Sequence, residues 1–322
     1  MTDEVDPSDV AGSDAGTAIV AALRAIGERL DALEPAAIAD EPDAIHQLRT
    51  HVRRLRSVLA AYAPLFDASV AEGIRRRYRE FGRELGTVRD IEVRVQVAER
   101  ALEEAGEGED ADGTRDALDA DHARARERAV VRARLVAAEL ETHRLAHARF
   151  VERQRMPRAT ARRLVLAEFL DAPPLTPLAA GPAHEVLGDL LAHEGRRTVA
   201  RAERLTASAD PDELHAVRKA GRRLRYAAEA VTTEPVVLFG ARAEALAEAG
   251  ERLHDVLGDH RDELLFAEHA RRAAAHAAHQ GEPAGLLEHL AAAADRRASA
   301  HVHGLTAVRR ELRRAAERWA AR

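Results

Sequence analysis

Apolar side chains recur every three or four positions along nearly the whole chain, with Glu and Arg filling the intervals. That spacing is the period of an α-helix with one buried stripe. It predicts helices over residues 16–33, 43–65, 69–104 with a break near Gly86, 114–149 and 157–170. A second series follows over 183–206, 211–231, 236–257, 259–279 and 283–320. Glu41-Pro42 and Asp210-Pro211 read as helix starts, an acidic N-cap followed by proline at the first helical position. The run Gly106–Gly113 reads as a solvated loop, and Asp171–Pro177 as a connection between two halves. The fold class expected is all-α.

The pattern is written twice. Residues 46–56 read His-Gln-Leu-Arg-Thr-His-Val-Arg-Arg-Leu-Arg, and residues 215–225 read His-Ala-Val-Arg-Lys-Ala-Gly-Arg-Arg-Leu-Arg. A shift of 169 superposes His46, Arg49, Arg53, Arg54, Leu55 and Arg56 on His215, Arg218, Arg222, Arg223, Leu224 and Arg225. Leu85-Gly86-Thr87-Val88-Arg89-Asp90 returns as Leu257-Gly258-Asp259-His260-Arg261-Asp262, shifted by 172. Two matches in the same order and at nearly one offset predict a duplicated fold. Each half would be a small antiparallel helical bundle, the pair related by a pseudo-twofold axis. The expected division is a disordered acidic tip 1–15, a first repeat 16–170, a linker 171–182 and a second repeat 183–322.

On a helical projection His46, Arg49, Arg53 and Arg56 fall within roughly 80° of one another. Leu48, Val52, Leu55 and Leu59 take the opposite side. In the second copy His215, Arg218, Arg222 and Arg225 form the stripe, flanked by Lys219 and Tyr226. Val217, Gly221, Leu224 and Ala228 lie opposite, and Gly221 and Ala228 leave room for a close neighbour. No carboxylate occurs between Asp43 and Asp67, or between Glu213 and Glu229, so neither stripe is neutralised locally. Like charges one turn apart cost about 0.2–0.5 kcal/mol each on an exposed helix. If both stripes faced one groove the repulsion would grow, and a polyanion would relieve it. Arginine suits phosphate, because its guanidinium stays charged and offers a rigid bidentate fork. The Leu-Gly-x-x-Arg-Asp segments have two readings. Gly86 and Gly258 end one helix with Asp90 and Asp262 opening the next, or Arg89 and Arg261 reach the ligand.

Composition narrows the remaining classes. The net charge is −6 and aromatics are 3%, which speaks against a nucleic-acid coat built on stacking. There is no cysteine, so disulfides, thiolate catalysis and sulfur-ligated zinc are excluded. No apolar run approaches membrane length and no secretory signal opens the chain, which points to a cytoplasmic protein. His143/His147 and His276/His279 have helical spacing but lack a converging carboxylate set, so no metal site is expected. Glu251-x-x-His254 lacks the second Glu-x-x-His of a di-iron bundle. No Gly-rich phosphate loop and no nucleophile elbow occurs. A phosphohistidine enzyme using His46 or His215 would need an acid or a magnesium-binding cluster that the sequence does not offer. No catalytic residue and no cofactor is therefore expected.

The pair of motifs, His-x-x-Arg-x-x-x-Arg-Arg-Leu-Arg followed in each half by Leu-Gly-x-x-Arg-Asp, resembles the CHAD family, named for conserved histidines in an α-helical domain. The similarity covers about residues 16–320, and the segment Lys219–Tyr226 resembles the second-half signature especially well. The resemblance implies two pseudo-symmetric bundles whose basic helices line a central cavity. It also implies binding of inorganic polyphosphate, often on polyphosphate granules. Carried onto this chain, the contacts implied are His46, Arg49, Arg53, Arg56, His215, Arg218, Lys219, Arg222 and Arg225. Arg54 and Arg223 point further round each helix, and Arg89, Arg261 and Tyr226 are additional candidates. Ser57 stands where the second copy has Tyr226, so the halves need not bind alike. The triphosphate-hydrolysing barrel often fused to such domains has no counterpart in this chain.

Overall fold

The computed structural model describes residues 13–105, 115–206 and 209–321. The acidic tip, apart from residues 13–15, and the loop at 106–113 lie outside the described residues. The helices are α1 Ala15–Ile38, α2 Ala44–Ala61, α3 Ala68–Glu104, α4 Arg115–Val131, α5 Ala138–Gln154, α6 Pro157–Asp171, α7 Ala183–Arg204, α8 Pro211–Glu229, α9 Ala241–His279 and α10 Gly285–Ala320. A π-helical segment, Arg132–Ala137, joins α4 to α5, and short 3-10 turns occupy Ala63–Leu65 and Pro177–Ala180. The small hairpin Thr232–Thr233/Val236–Val237 follows α8. The all-α expectation is met.

Two differences from the sequence reading concern glycine and proline. Neither Gly86 nor Gly258 ends a helix: α3 and α9 run through them as single long helices. An interior glycine costs about 1 kcal/mol relative to alanine, which a packed helix absorbs. α1 likewise continues past Pro35 to Ile38, five residues beyond the expected end.

Contacts divide the chain into two compact units. One comprises Met1–Leu85, Val151–Leu257 and Gly304–Arg322; the other comprises Gly86–Phe150 and Gly258–His303. The units do not coincide with the repeat boundaries drawn at 170 and 183, since each takes segments from both halves. The chain passes between units four times, at the two Leu-Gly steps Leu85-Gly86 and Leu257-Gly258 inside α3 and α9, and at Phe150-Val151 and His303-Gly304 inside α5 and α10. Both basic helices, α2 and α8, belong to the first unit.

In that unit the core is built from Ile19 and Leu23 of α1, Leu48, Val52, Leu55 and Leu59 of α2, and Leu224, Ala227 and Ala228 of α8, all without solvent exposure. Tyr62, also fully buried, donates its hydroxyl hydrogen to the carbonyl of Ala227 at 2.8 Å. Burial raises its pKa, because a phenolate has no solvation there. The connection between repeats is pinned down: Thr176 N–H bonds the Leu65 carbonyl at 3.0 Å, and Asp67 N–H bonds the Pro174 carbonyl at 2.8 Å. Asp14 caps α1, its carboxylate accepting from Thr17 N–H at 2.7 Å. The second unit has a core of its own, with Val95, Ala98, Leu135, Phe266, Ala270, Leu287 and Ala294 at its centre.

Candidate functional site

The two basic helices begin differently. α8 starts where expected: Asp210 accepts from Glu213 N–H at 2.8 Å, Glu213 accepts from Asp210 N–H at 3.0 Å, and Pro211 takes the first helical position. This reciprocal box satisfies two of the orphan donors of the first turn. α2 starts two residues later than Glu41-Pro42 suggests. Asp43 adopts a left-handed conformation (φ 61°) and accepts from the Gln47 side-chain amide at 2.9 Å instead of capping the backbone.

The expected seams are buried. Leu48, Val52, Leu55 and Leu59 face the core, as do Val217, Gly221, Leu224 and Ala228. Gly221 sets how deep α8 sits. A Cβ there would fall 2.8 Å from the carbonyl oxygen of Gly250 on α9, and a Cβ on Gly250 would fall 2.7 Å from that of Gly221. Only two glycines let these backbones meet.

The polar stripes are consequently drawn inward. His46, Arg49, Arg53 and Arg56 of α2 are half-buried, as are His215, Arg218, Arg222 and Arg225 of α8, while Lys219 is exposed. Arg222 is the centre of the cluster. Burial pushes its pKa down to about 9, and the charges of Arg53, Arg218 and Arg56 push the same way against an opposing contribution from Tyr226. Guanidiniums from both repeats therefore act on one point. Arg56 is lowered to about 10 by burial and by Arg79, Arg75 and Arg83 of α3, with Glu72 opposing. The Nε–H groups of Arg53 and Arg222 are buried with no hydrogen-bond partner among the described residues. Arg53 uses Nη2 on the Thr50 hydroxyl at 3.0 Å. Buried donors of this kind carry a desolvation cost until something accepts from them.

Other expected site residues have carboxylate partners, contrary to the acid-free reading of the local sequence. Arg225 binds Glu229 at 2.6 Å and Glu251 at 2.7 Å; burial opposes its charge, but the two carboxylates outweigh that and raise its pKa. Arg54 pairs with the same Glu229. Arg223 Nε donates to Glu194 at 2.6 Å, and Glu194 is only 2% exposed. Tyr226 is buried, its ring covered by the guanidiniums of Arg54 and Arg225 at 5.7 and 5.6 Å from its centroid. These residues hold the cluster's frame. In the second unit Arg89 binds Glu92 at 2.9 Å, and Arg261 is exposed.

Sequence reasoning missed four participants. Arg75, Arg79 and Arg83 lie one turn apart on α3 and add to the field at Arg56. Their spacing was visible, but Glu72, Glu80 and Glu84 interleave with them and hide the stripe. The fourth is His254 of α9, which the sequence presents only as half of a Glu-x-x-His pair. It is 8% exposed, and burial, then Arg218, Arg222 and Arg53, push its pKa down to about 2. Among the described residues no group of three or more His, Asp or Glu side chains is placed to hold a metal, and no helix is long and apolar enough to cross a membrane.

An all-α protein with a duplicated cationic helix, both copies feeding one buried arginine cluster, is the class these features define. The CHAD domain family matches residues 21–271, more than half of the chain, and the protein belongs to that family. An uncharacterized protein of Mycobacterium tuberculosis (strain CDC 1551 / Oshkosh) is 27% identical over 261 residues, covering 76% of this chain and 44% of the relative. Another, from strain ATCC 25618 / H37Rv, gives the same identity and coverage. The chain thus spans less than half the length of the curated relatives it matches. Among solved structures, PptA from Streptomyces chartreusis superposes with a TM-score of 0.66 at 22% identity, over 92% of this chain and 99% of that one. The CHAD domain from the plant Ricinus communis gives 0.64 at 23%, over 94% and 93%. These likenesses concern the fold.

Proposed function

We propose that this protein binds inorganic polyphosphate, without catalysis, at the arginine cluster formed by α2 and α8. The observation that carries the reading is the field at Arg222: burial and the like charges of Arg53, Arg218 and Arg56 disfavour its own charge, and no acceptor among the described residues meets its Nε–H. A linear polyanion removes both penalties at once. Its oxygens accept from the orphan donors and its charge offsets the repulsion. Stripe residues one turn apart are about 5.4 Å apart along the axis, a spacing that engages several phosphates of one chain. His46, Arg49, His215, Arg218 and Lys219 extend the contact, and Arg75, Arg79 and Arg83 continue it from α3. Recruitment to polyphosphate granules in the cytoplasm is the cellular expression of the same affinity.

The test is a titration with polyphosphates of graded length and with orthophosphate at several salt concentrations. Long chains are expected to bind far more tightly than orthophosphate and to weaken steeply with salt as counterions return. Equal affinity for both removes the reading. RNA displacing polyphosphate at lower concentration would assign the cluster to nucleic acid, and turnover of labelled polyphosphate would make the protein an enzyme.

A further inference from the structure

His254 lies on α9 where that helix touches α8: a Cβ on Gly221 would fall 3.2 Å from the His254 backbone nitrogen. Its ring hydrogen-bonds the backbone carbonyl of Arg218, and its Nδ1 is buried with no hydrogen-bond partner among the described residues. The hydrogen therefore sits on Nε2, and Nδ1 presents a bare lone pair. The charged groups acting on the ring are Arg218 and Arg222 from α8 and Arg53 from α2. Glu251, one turn earlier on α9, is engaged by Arg225. Burial and the surrounding cations all disfavour a second proton, so the imidazole stays neutral in the ligand-free protein.

The first repeat has no such group. The shift of 172 that superposes the Leu-Gly-x-x-Arg-Asp segments sets Gly82 against His254. A Cβ on Gly82 would lie 3.3 Å from Val52 Cγ1 and 3.6 Å from Arg56 Nη1, so the equivalent space beside α2 borders a guanidinium. The imidazole is a feature of one half of the cluster.

The guanidiniums that would draw an anion, Arg218, Arg222 and Arg53, are the ones that act on this ring, so an anion taken up among them would bring oxygen lone pairs towards that of Nδ1. Two acceptors repel unless a proton stands between them. We propose that His254 is a ligand-binding residue whose Nδ1 shares one solvent-derived proton with a phosphate oxygen, so that this end of the cluster takes a chain-terminal phosphate. The idea rests on the polyphosphate reading and adds to it. A terminal phosphate has its last ionisation near pH 6, so a proton between it and imidazole is held by both partners. Internal phosphates of the chain and sulfate are far weaker bases and hold no such proton. The site therefore distinguishes the end of a polyphosphate from its middle, and phosphate from sulfate.

The experiment is calorimetry at pH 7 in buffers of different ionisation enthalpy, with tripolyphosphate and cyclic trimetaphosphate, which has no terminus. The wild type is compared with His254→Gln, whose amide N–H can keep the bond to the Arg218 carbonyl. Wild type is expected to take up about one proton more than the variant on binding tripolyphosphate, and no more than the variant with trimetaphosphate. Equal proton counts for tripolyphosphate, with both proteins binding, overturn the role of His254 and leave the polyphosphate reading standing. Failure of the wild type to bind either phosphate overturns both. If the variant does not fold, nitrogen-15 spectra of the wild-type imidazoles decide. Tripolyphosphate, but not sulfate, is expected to move the ring that stays neutral at about pH 5 in the free protein to a protonated-type Nδ1 shift, and an unmoved signal overturns the assignment.

Discussion

Arg54, from the first repeat, and Arg225, from the second, grip the same carboxylate, Glu229, and stack on the same ring, Tyr226. The arginines of each basic helix thereby divide into two sets. One set is neutralised and builds the frame; the other, around Arg222, is the set proposed above to take the ligand.

Substitutions are expected to separate the two sets. Arg53→Ala or Arg222→Ala removes a buried donor and relieves repulsion. Each is expected to lower polyphosphate affinity about tenfold or more while leaving the denaturant midpoint unchanged or raised. Arg223→Ala leaves Glu194, 2% exposed, without its 2.6 Å partner. A loss of about 3–5 kcal/mol in unfolding free energy is expected. Denaturant titration beside a polyphosphate titration checks all three.

Glu229→Gln takes the carboxylate from Arg54 and leaves Arg225 with Glu251 alone, which raises the positive charge at the edge of the cluster. Polyphosphate binding is expected to tighten a few-fold at low salt and to become more salt-sensitive, since more counterions are then released. The slope of log affinity against log salt is the measurement, and a shallower slope contradicts the expectation.

Gly221→Ala places a methyl group 2.8 Å from the Gly250 carbonyl, an atom that cannot rotate away. Overpacking of this kind costs roughly 1–3 kcal/mol, or more where backbone must move. Because Arg218, Arg222 and Arg225 ride on the same helix, polyphosphate affinity is expected to fall with stability. Thermal melts and binding isotherms on the same preparation test the pairing.

His254 makes the ligand-free fold sensitive to acid. Its pKa is about 2 in the folded chain and about 6.5 in the unfolded one, so below the higher value the unfolded chain binds more protons. Stability rises with pH wherever that holds. The contribution is therefore intact above about pH 6.5 and is lost progressively as pH falls towards 2. Between pH 7 and 5, before most carboxylates titrate, the wild type is expected to lose more stability than His254→Gln. Urea midpoints across that window are the check; parallel curves would contradict it.

Local periodicity was the legible part. The seam Leu48, Val52, Leu55, Leu59 and its second copy follow from helical spacing, and so does Gly221 as a point of close approach. Charge partners were not legible, because they come from other elements: Glu194 from α7, Glu251 from α9. Glu229, four residues beyond Arg225, sat just outside the stretch counted as acid-free and reaches back one turn. Gly86 and Gly258 read as stops because glycine ends helices more often than it sits inside them, and flanking Leu85 and Leu257, both buried, show the packing that carries the helix through. His254 carries no local signal at all. Its neighbours are set by the Gly221–Gly250 contact, which only the folded chain assembles.

The hydroxyl of Tyr62 closes its bond on the carbonyl of Ala227, so a residue just past α2 is satisfied inside α8. Neither half of the chain could be released as a stand-alone piece without orphaning that phenol and baring the leucines beneath it. Reciprocal dependence between two copies of one motif is the signature of a symmetric homodimer. Here both copies stand in a single polypeptide, so they need not match: one carries the His254 imidazole where the other has Gly82.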